Sequence, residues 1–455
     1  MTTDTARSSP SVTWQVGPIV LSGLAARMAR GVSWNLIGSV FNQGSTFLVN
    51  VVLAQTWGLY AFGQYAVVQS TITAVIYVAQ LATGYTATRY VAQFRTADPV
   101  RAGRLLALCT AVTVAMSFVA AMLLVAASAT MSRVVFHDVG LQWPFYVAAL
   151  VIVPGVLNAF MMGALVGLEG YDELGKAGIA SGVLYIIFCT GGALSFGLDG
   201  AIAGLAASAA AQSLLLARGF RRELRRQGIR LRWDTLWQER GVLFRFAIPA
   251  TLGGMVAMPG IWVANAILAS RGGGFDQVGL FAAANTFRAA VLFLPGIVNS
   301  VGLSLLNNQH GLGDERGYRR TYWTNLGVNA GAATMAGAAV LLLAPWLLAL
   351  FGREFHGASR VMMVLMVATI AEASCIALVQ PLQTQDRVWL VFAAVILPCY
   401  TILVSLAWLV TPTLGAVGLA VAYVAGWGFA ILSAAVLVRM FGVWGRPSSS
   451  RGVVA

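Results

Sequence analysis

Apolar runs of roughly 20 residues, the length that carries a helix across a bilayer core, follow one another from Gly31 to Val438 with a single long interruption. The interruption is Arg218 to Arg245, with nine arginines (Arg218, Arg221, Arg222, Arg225, Arg226, Arg230, Arg232, Arg240, Arg245) against Glu223, Asp234 and Glu239. Hydrophobic residues make up 58% of the chain and charged residues 10%, whereas a soluble domain carries about 25% charged residues. A soluble fold cannot hide that much apolar surface, so lipid is the solvent for most of the chain. The reading is an all-α polytopic membrane protein of twelve transmembrane helices in two six-helix bundles.

The spans fall near 31–56, 64–86, 105–131, 144–167, 178–197, 200–217, 246–270, 278–304, 323–346, 359–380, 388–410 and 416–438. The organisation is then an N-terminal tail (1–30), an N-terminal bundle (31–217), a basic linker (218–245), a C-terminal bundle (246–438) and a tail (439–455). Residues 1–17 read as a disordered tail, and Gly23 to Arg30 as a short helix lying on the membrane. Lys and Arg divide 24 to 4 between the two sets of loops, and the richer side is cytosolic by the positive-inside rule. Both termini and the linker are expected there. The net charge of +13 therefore reads as topology, and nucleic acid is not an expected partner. The four cysteines are scattered in apolar runs, so neither a metal site nor a cofactor is expected.

The loops on the other side are short, near 57–63, 132–143, 198–199, 271–277, 347–358 and 411–415. None is long enough to fold as a catalytic domain, so the chain reads as a non-enzyme. A faint repeat links the halves. Ala61 to Ser70 aligns with Gln277 to Thr286, matching Gly63 with Gly279, Tyr65 with Phe281 and Ser70 with Thr286, as in transporters built from repeats.

Polar side chains inside the spans fall in stripes. Asn35, Ser39, Asn42, Thr46 and Asn50 share one face of the first span at steps of three and four. Gln69, Thr73, Tyr77, Gln80 and Gly84 do the same in the second, running down to Arg89. Amides facing lipid leave donors and acceptors unpaired. Interhelical hydrogen bonding and a hydrated cavity both satisfy them; two full-length stripes favour the cavity. The seventh span carries Thr251, Met255, Met258, Trp262 and Asn265 on one face, and Pro249 and Pro259 are candidate hinges. The eighth carries Asn285, Arg288 and Asn299. An intramembrane arginine costs roughly 2.5–3.5 kcal/mol on insertion scales and marks a functional site by default. Glu372, the only acid inside any span, is its candidate partner. Contact with an anionic substrate and an internal ion pair both stand for Arg288, and coupling to protons or cations stands for Glu372.

Gly31-Val-Ser-Trp-Asn-Leu-Ile-Gly-Ser-Val-Phe-Asn-Gln-Gly, Leu53-Ala-Gln-Thr-Trp-Gly-Leu-Tyr-Ala-Phe-Gly-Gln-Tyr and Gly84-Tyr-Thr-Ala-Thr-Arg-Tyr-Val-Ala resemble the N-terminal helices of polysaccharide-transport flippases. Gly167-Leu-Glu-Gly-Tyr-Asp-Glu-Leu and the Pro295 stretch are similar to the same group. It belongs to the multidrug/oligosaccharidyl-lipid/polysaccharide (MOP) exporter superfamily and includes the O-antigen (Wzx-type) flippases. The resemblance implies two bundles in an inverted V in the bacterial inner membrane. It also implies flipping of an undecaprenyl-pyrophosphate-linked oligosaccharide from inner to outer leaflet by alternating access. Arg288, Asn35, Asn42, Asn50, Gln69, Tyr77, Gln80, Trp262, Asn265, Asn285 and Asn299 are then the candidate substrate contacts. Arg30, Arg89 and Arg245 are candidate headgroup contacts at the cytosolic entrance, although plain positive-inside topology is the favoured explanation of them. Membrane lipids, and a polysaccharide polymerase or chain-length apparatus, are the implied partners of a monomer. The rivals are a multidrug cation exporter of the same superfamily, which would carry acids in its N-terminal bundle, and a membrane-embedded transferase. A lipid II flippase would have two further helices, and a major-facilitator carrier a glycine- and arginine-rich loop that residues 95–104 do not match.

Overall fold

The structure is a computed structural model, and it describes residues 13–16, 19–22, 24–242, 248–271, 273–385 and 387–443. The long helices are α1 (Leu24–Ala79), α2 (Thr83–Phe94), α3 (Pro99–Thr130), α4 (Gln142–Gly167) and α5 (Tyr171–Arg226) in the first half. After the three-residue α6 (Arg240–Val242), the second half runs through α7 (Ile248–Arg271), α8 (Phe275–Leu312), α9 (Glu315–Leu342), α10 (Ala344–Ala349), α11 (Ala358–Leu378), α12 (Gln380–Thr384), α13 (Val388–Val391) and α14 (Leu397–Phe441). Eight helical runs among the described residues are long and apolar enough to cross a membrane. This is a polytopic, helical membrane protein.

Three of the helices break at a glycine. Gly58 in α1, Gly197 in α5 and Gly415 in α14 have φ of 72°, 61° and 55°, which only glycine adopts without strain. Each marks a reversal. The arms of α5 lie so close that a Cβ on Gly192 would fall 2.1 Å from the Gly200 carbonyl oxygen. A Cβ on Gly418 would fall 2.8 Å from the Val410 oxygen. Connections expected at 57–63 and 411–415 are thus compressed to single residues inside continuous helix.

Several boundaries differ from the sequence reading. Residues 13–16 pair antiparallel with 19–22 as a short hairpin, where a disordered tail was expected up to residue 17. Gly23–Arg30 is not a separate surface helix, because α1 runs unbroken from Leu24 into the first span. The second span ends at Ala79. Leu81 and Ala82 take positive φ, so Gly84 and Arg89 sit on a separate helix, α2. α5 continues to Arg226, into the stretch read as the linker, since its Arg, Leu and Glu residues are good helix formers. Pro249 falls in the first turn of α7, where a proline does not break a helix.

The remainder of the linker packs on the first half. The Arg232 amide donates to the Gly103 carbonyl, and buried Glu239 pairs with Arg101 and Arg104, both at 3.2 Å. Arg95 pairs with Glu169, and Arg222 with Glu173 at 3.5 Å. Loops assigned to one side of the membrane are therefore neighbours in space. The opposite loops gather likewise: Asp138 accepts from Gln64 at 2.6 Å, Gln55 donates to Leu350 O at 2.7 Å, and Ala416 N donates to Gln277 at 2.9 Å.

The first half is built on α1, α3, α4 and α5, the second on α7, α8, α9, α11 and α14, and α1 meets α7 and α8 across the seam. Among the described residues, the hydrogen bonds and ring contacts that cross the seam all lie toward the Gly58 end. Phe47, Phe62, Phe287, Phe351 and Phe355 interlock there with ring centroids 5.4–6.2 Å apart. Leu59 N reaches Glu354 at 3.3 Å, and Trp262 Nε1 donates to Thr71 at 2.9 Å. The halves are sealed at that end, and the central cavity lies on the linker side of the seal.

Candidate functional site

The cavity has a volume of about 640 Å³ and is walled by both arms of α1, by α7 and α8, and by Tyr423 of α14. Period-3.6 spacing in four helices turns one polar stripe of each inward. The first arm of α1 supplies Gln43, Thr46 and Asn50, the second Gln69, Ser70, Thr73 and Tyr77. Asn265 of α7 and Asn285, Thr286 and Arg288 of α8 complete the polar lining. Asn50 Nδ2 donates to Thr286 Oγ1 at 3.3 Å across the seam, while Asn50 Oδ1 is buried and accepts from no described group.

Among the described residues, Arg288 is the only charged one lining the cavity. Its guanidinium pairs with Glu372 of α11, and Nη1 donates to Asn285 Oδ1 at 3.1 Å. The Tyr423 ring lies 5.3 Å from its Cζ, within range of a cation–π contact. Arg288 and Glu372 are 11% and 13% exposed, so the pair is held in a low-dielectric setting where its attraction is strong. Glu372 stands behind the arginine and does not line the cavity. The buried Nε of Arg288 has no hydrogen-bond partner among the described residues.

Of the residues singled out from sequence, Arg288, Asn50, Gln69, Tyr77, Asn265 and Asn285 come together in this cavity. Asn42 lies beside it, in a recess of the first half. Three others are elsewhere. Trp262 faces a groove of about 430 Å³ between α7 and residues 134–137; it lies about 60° around α7 from Asn265, and its Nε1 donates to Thr71 Oγ1. Gln80 sits at the break after α1, where its carbonyl accepts from Thr83 N and Oγ1. Asn299 is buried in an amide cluster inside the second half: Gln380 Nε2 donates to Asn299 Oδ1 at 3.1 Å, and Asn325 Nδ2 to Gln380 Oε1 at 2.7 Å. Its Oδ1 is satisfied by neighbours, the alternative weighed for such stripes, while its buried Nδ2 has no hydrogen-bond partner among the described residues. Arg89 is exposed on α2, its Cζ 5.7 Å from the Tyr90 ring. The side chains of Asn35, Arg30, Arg245, Pro249, Thr251 and Met255 lie outside the described residues, and Pro259 is inside α7.

Sequence reading missed Tyr423 and Thr286 as lining residues, while Met258, read on the inward face of the seventh span, does line the cavity. Thr286 was legible as the counterpart of Ser70 in the repeat; Tyr423 carried no signal, being one aromatic in an apolar run. The four cysteines are free and buried, as expected.

No protein-family profile matches the chain. It is 25% identical over 360 residues to the EPS I polysaccharide export inner membrane protein EpsE of Ralstonia nicotianae, covering 78% of this chain and 80% of that protein. The Ralstonia solanacearum protein of the same name is 24% identical over the same length. Among solved structures, the lipid II flippase MurJ in an inward closed conformation superposes with a TM-score of 0.72 at 12% identity, over 90% of this chain and 87% of that one. An inward-facing multidrug resistance MATE family transporter of the MOP superfamily gives 0.67 at 16% identity, over 90% and 95%. A MOP superfamily transporter from Pyrococcus furiosus gives 0.68 at 16% identity, over 91% and 95%. The resemblance read from the sequence therefore holds: this chain has the fold of the MOP superfamily transporters and is a sequence relative of polysaccharide-export inner membrane proteins.

Proposed function

We propose that the protein is a polysaccharide-export flippase of the bacterial inner membrane. It moves an undecaprenyl-pyrophosphate-linked oligosaccharide from the inner to the outer leaflet by alternating access. On this reading the helices broken at Gly58, Gly197 and Gly415 each make two spans, and with α7 the spans number twelve. The linker and both termini face the cytosol, the Gly58 end faces outward, and the arrangement described is inward-facing.

One observation carries the proposal: among the described residues, the cavity presents amides and hydroxyls together with a single charge, and that charge is Arg288. A pyrophosphate is recognised by guanidinium groups, whose planar donors match its oxygens. Amides and hydroxyls suit a glycan. Asn50, Gln69, Tyr77, Asn265 and Asn285 are positioned to take it, and Arg89 with the other arginines of the linker end attracts the anionic headgroup from the cytosolic leaflet. Glu372 holds Arg288 in place until the phosphate competes for it, and protonation of Glu372 would favour that exchange. A cation exporter fits poorly, since no acid lines the cavity among the described residues.

The test is leaflet exchange in liposomes. The purified chain should move an undecaprenyl-pyrophosphate-linked sugar, and Arg288→Glu should abolish movement while inserting normally. Transport of a cationic drug, with no exchange of any anionic lipid-linked sugar, would reverse the assignment.

A further inference from the structure

A second recess of about 190 Å³ opens from the central cavity into the first half. The two share Thr46 and Gln69. Its other polar walls are Asn42 of α1 and Ser181, Ser208 and Gln212 of α5, with Tyr185, Leu205 and Ala209 supplying an apolar face. We propose that this recess holds one sugar ring of the exported glycan, and that the ring is uncharged. The inference rests on the lipid-linked glycan reading above and divides that cargo between the halves, with phosphate at Arg288 in the second and sugar in the first.

Size and chemistry both point this way. At about 30 Å³ per water the recess has room for roughly six waters, on the scale of one sugar ring. Its groups are amides and hydroxyls, each able to donate and accept, which is what a ring of hydroxyls requires. Several are unspent. The side-chain amides of Asn42 and Gln69 make no hydrogen bond to any described residue. The hydroxyls of Ser181 and Ser208 give their protons to backbone oxygens of their own helix, at 3.0 and 2.8 Å, and keep their lone pairs.

Gln212 is the best-placed anchor. Its Oε1 accepts from Asn158 Nδ2 at 3.1 Å, which fixes the amide, while its Nε2 reaches Ser181 Oγ only at 3.4 Å. The Tyr185 hydroxyl is taken by Tyr65 at 3.0 Å, so its ring serves as a wall. No charged side chain lines the recess among the described residues. A uronic acid or an amino sugar would bury a charge there without a counter-ion, which is strongly unfavourable. A site made of hydrogen-bonding groups also rejects an analogue that lacks the matching hydroxyl.

The experiment measures binding to the full chain in nanodiscs with three probes: undecaprenyl pyrophosphate, the same lipid carrying glucose, and the same lipid carrying glucuronic acid. The glucosyl lipid should bind tightest, by about tenfold over the bare lipid, as expected for one or two well-made hydrogen bonds. The glucuronosyl lipid should gain nothing. Gln212→Leu should erase the glucosyl advantage and leave bare-lipid binding unchanged. Ser208→Ala should do the same, should Gln212→Leu disturb Asn158, because among the described residues the Ser208 hydroxyl bonds only its own helix. Equal binding of bare and glucosylated lipid to the wild-type chain would overturn the recess while leaving the flippase reading intact. So would a preference for glucuronic acid. Failure to bind any of the three would remove both.

Discussion

Gly63 and Gly279 occupy equivalent positions in the two halves, and each is pressed against the backbone of the other half. A Cβ on Gly63 would fall 1.9 Å from the Phe275 oxygen, and one on Gly279 would fall 2.4 Å from the Leu59 oxygen. Each glycine thus sits over the carbonyl four residues before its counterpart, and the seam is two-fold in character. The helices cross there at a distance no side chain permits. Leu replacing Gly63 should hold the sealed end apart. Overpacking costs about 1–3 kcal/mol, enough to shift a balanced pair of conformations by tenfold or more. Spin labels at positions 56 and 353 should report a longer separation for Gly63→Leu, and transport should fall at least tenfold with normal membrane insertion. An unchanged distance distribution would show that the crossing is not what closes this end.

The ion pair of Arg288 and Glu372 separates stability from transport. Removing one partner of a buried pair strands the other and costs about 3–5 kcal/mol, whereas replacing both is nearly neutral. Glu372→Gln and Arg288→Gln should each lower the Tm, and the double variant should recover most of the loss. If Arg288 serves only packing, the double variant also recovers transport. If it contacts the phosphate, transport stays lost in every variant lacking Arg288. Tm and leaflet exchange measured on the same four proteins decide between the two.

Much of this was legible in the chain. Span order, the central interruption and the two groups of loops follow from hydropathy and arginine placement, because lipid tolerates only one kind of backbone. The stripes on α1 put Asn50, Gln69 and Tyr77 on the cavity wall. On α8, Asn299 shares a helical face with Arg288 but lies past Pro295, at a depth where α8 packs on α9 and α12. An amide stripe looks the same in sequence whether it meets water or other amides. Trp262 and Asn265 were read as one face; they lie about 60° apart on α7, enough to put Asn265 on the cavity wall and Trp262 in the neighbouring groove. Helix breaks at Gly58 and Gly415 were invisible as breaks, since a single positive φ needs no loop composition around it.

The amide cluster of the second half should prove structural. Asn325 Nδ2 donates to Gln380 Oε1 at 2.7 Å, and Asn329 Nδ2 donates to Asn325 Oδ1 at 3.0 Å. Asn325→Ala strands the buried Gln380 Oε1 and leaves Asn329 Nδ2 only its bond to the Asn325 backbone oxygen, at 2.8 Å, in a site where Asn329 is fully buried. A loss of about 1–3 kcal/mol is expected, read as a lower Tm. The affinity for lipid-linked sugar should be unchanged, since the cluster lies off the cavity. A selective loss of affinity at constant Tm would move Asn299 and its neighbours into the binding site.

The two groups of loops can be assigned to compartments by reporter fusions. Asp138 lies between α3 and α4 and is tied to Gln64, whereas Glu239 lies in the linker and is tied to Arg101 and Arg104. α3 separates the two sites, and it is a single helix of 32 residues long enough to cross the membrane once. An alkaline phosphatase inserted in the 132–143 connection should be active, and one inserted in the linker beyond Arg226 inactive. A fluorescent protein that folds only in the cytosol should give the opposite pattern. The first insertion should leave the Glu239 pairs intact, because it lies at the other end of α3. Activity from both phosphatase fusions would place the linker outside and turn the cavity's opening toward the outer leaflet, reversing the direction in which cargo first meets Arg288.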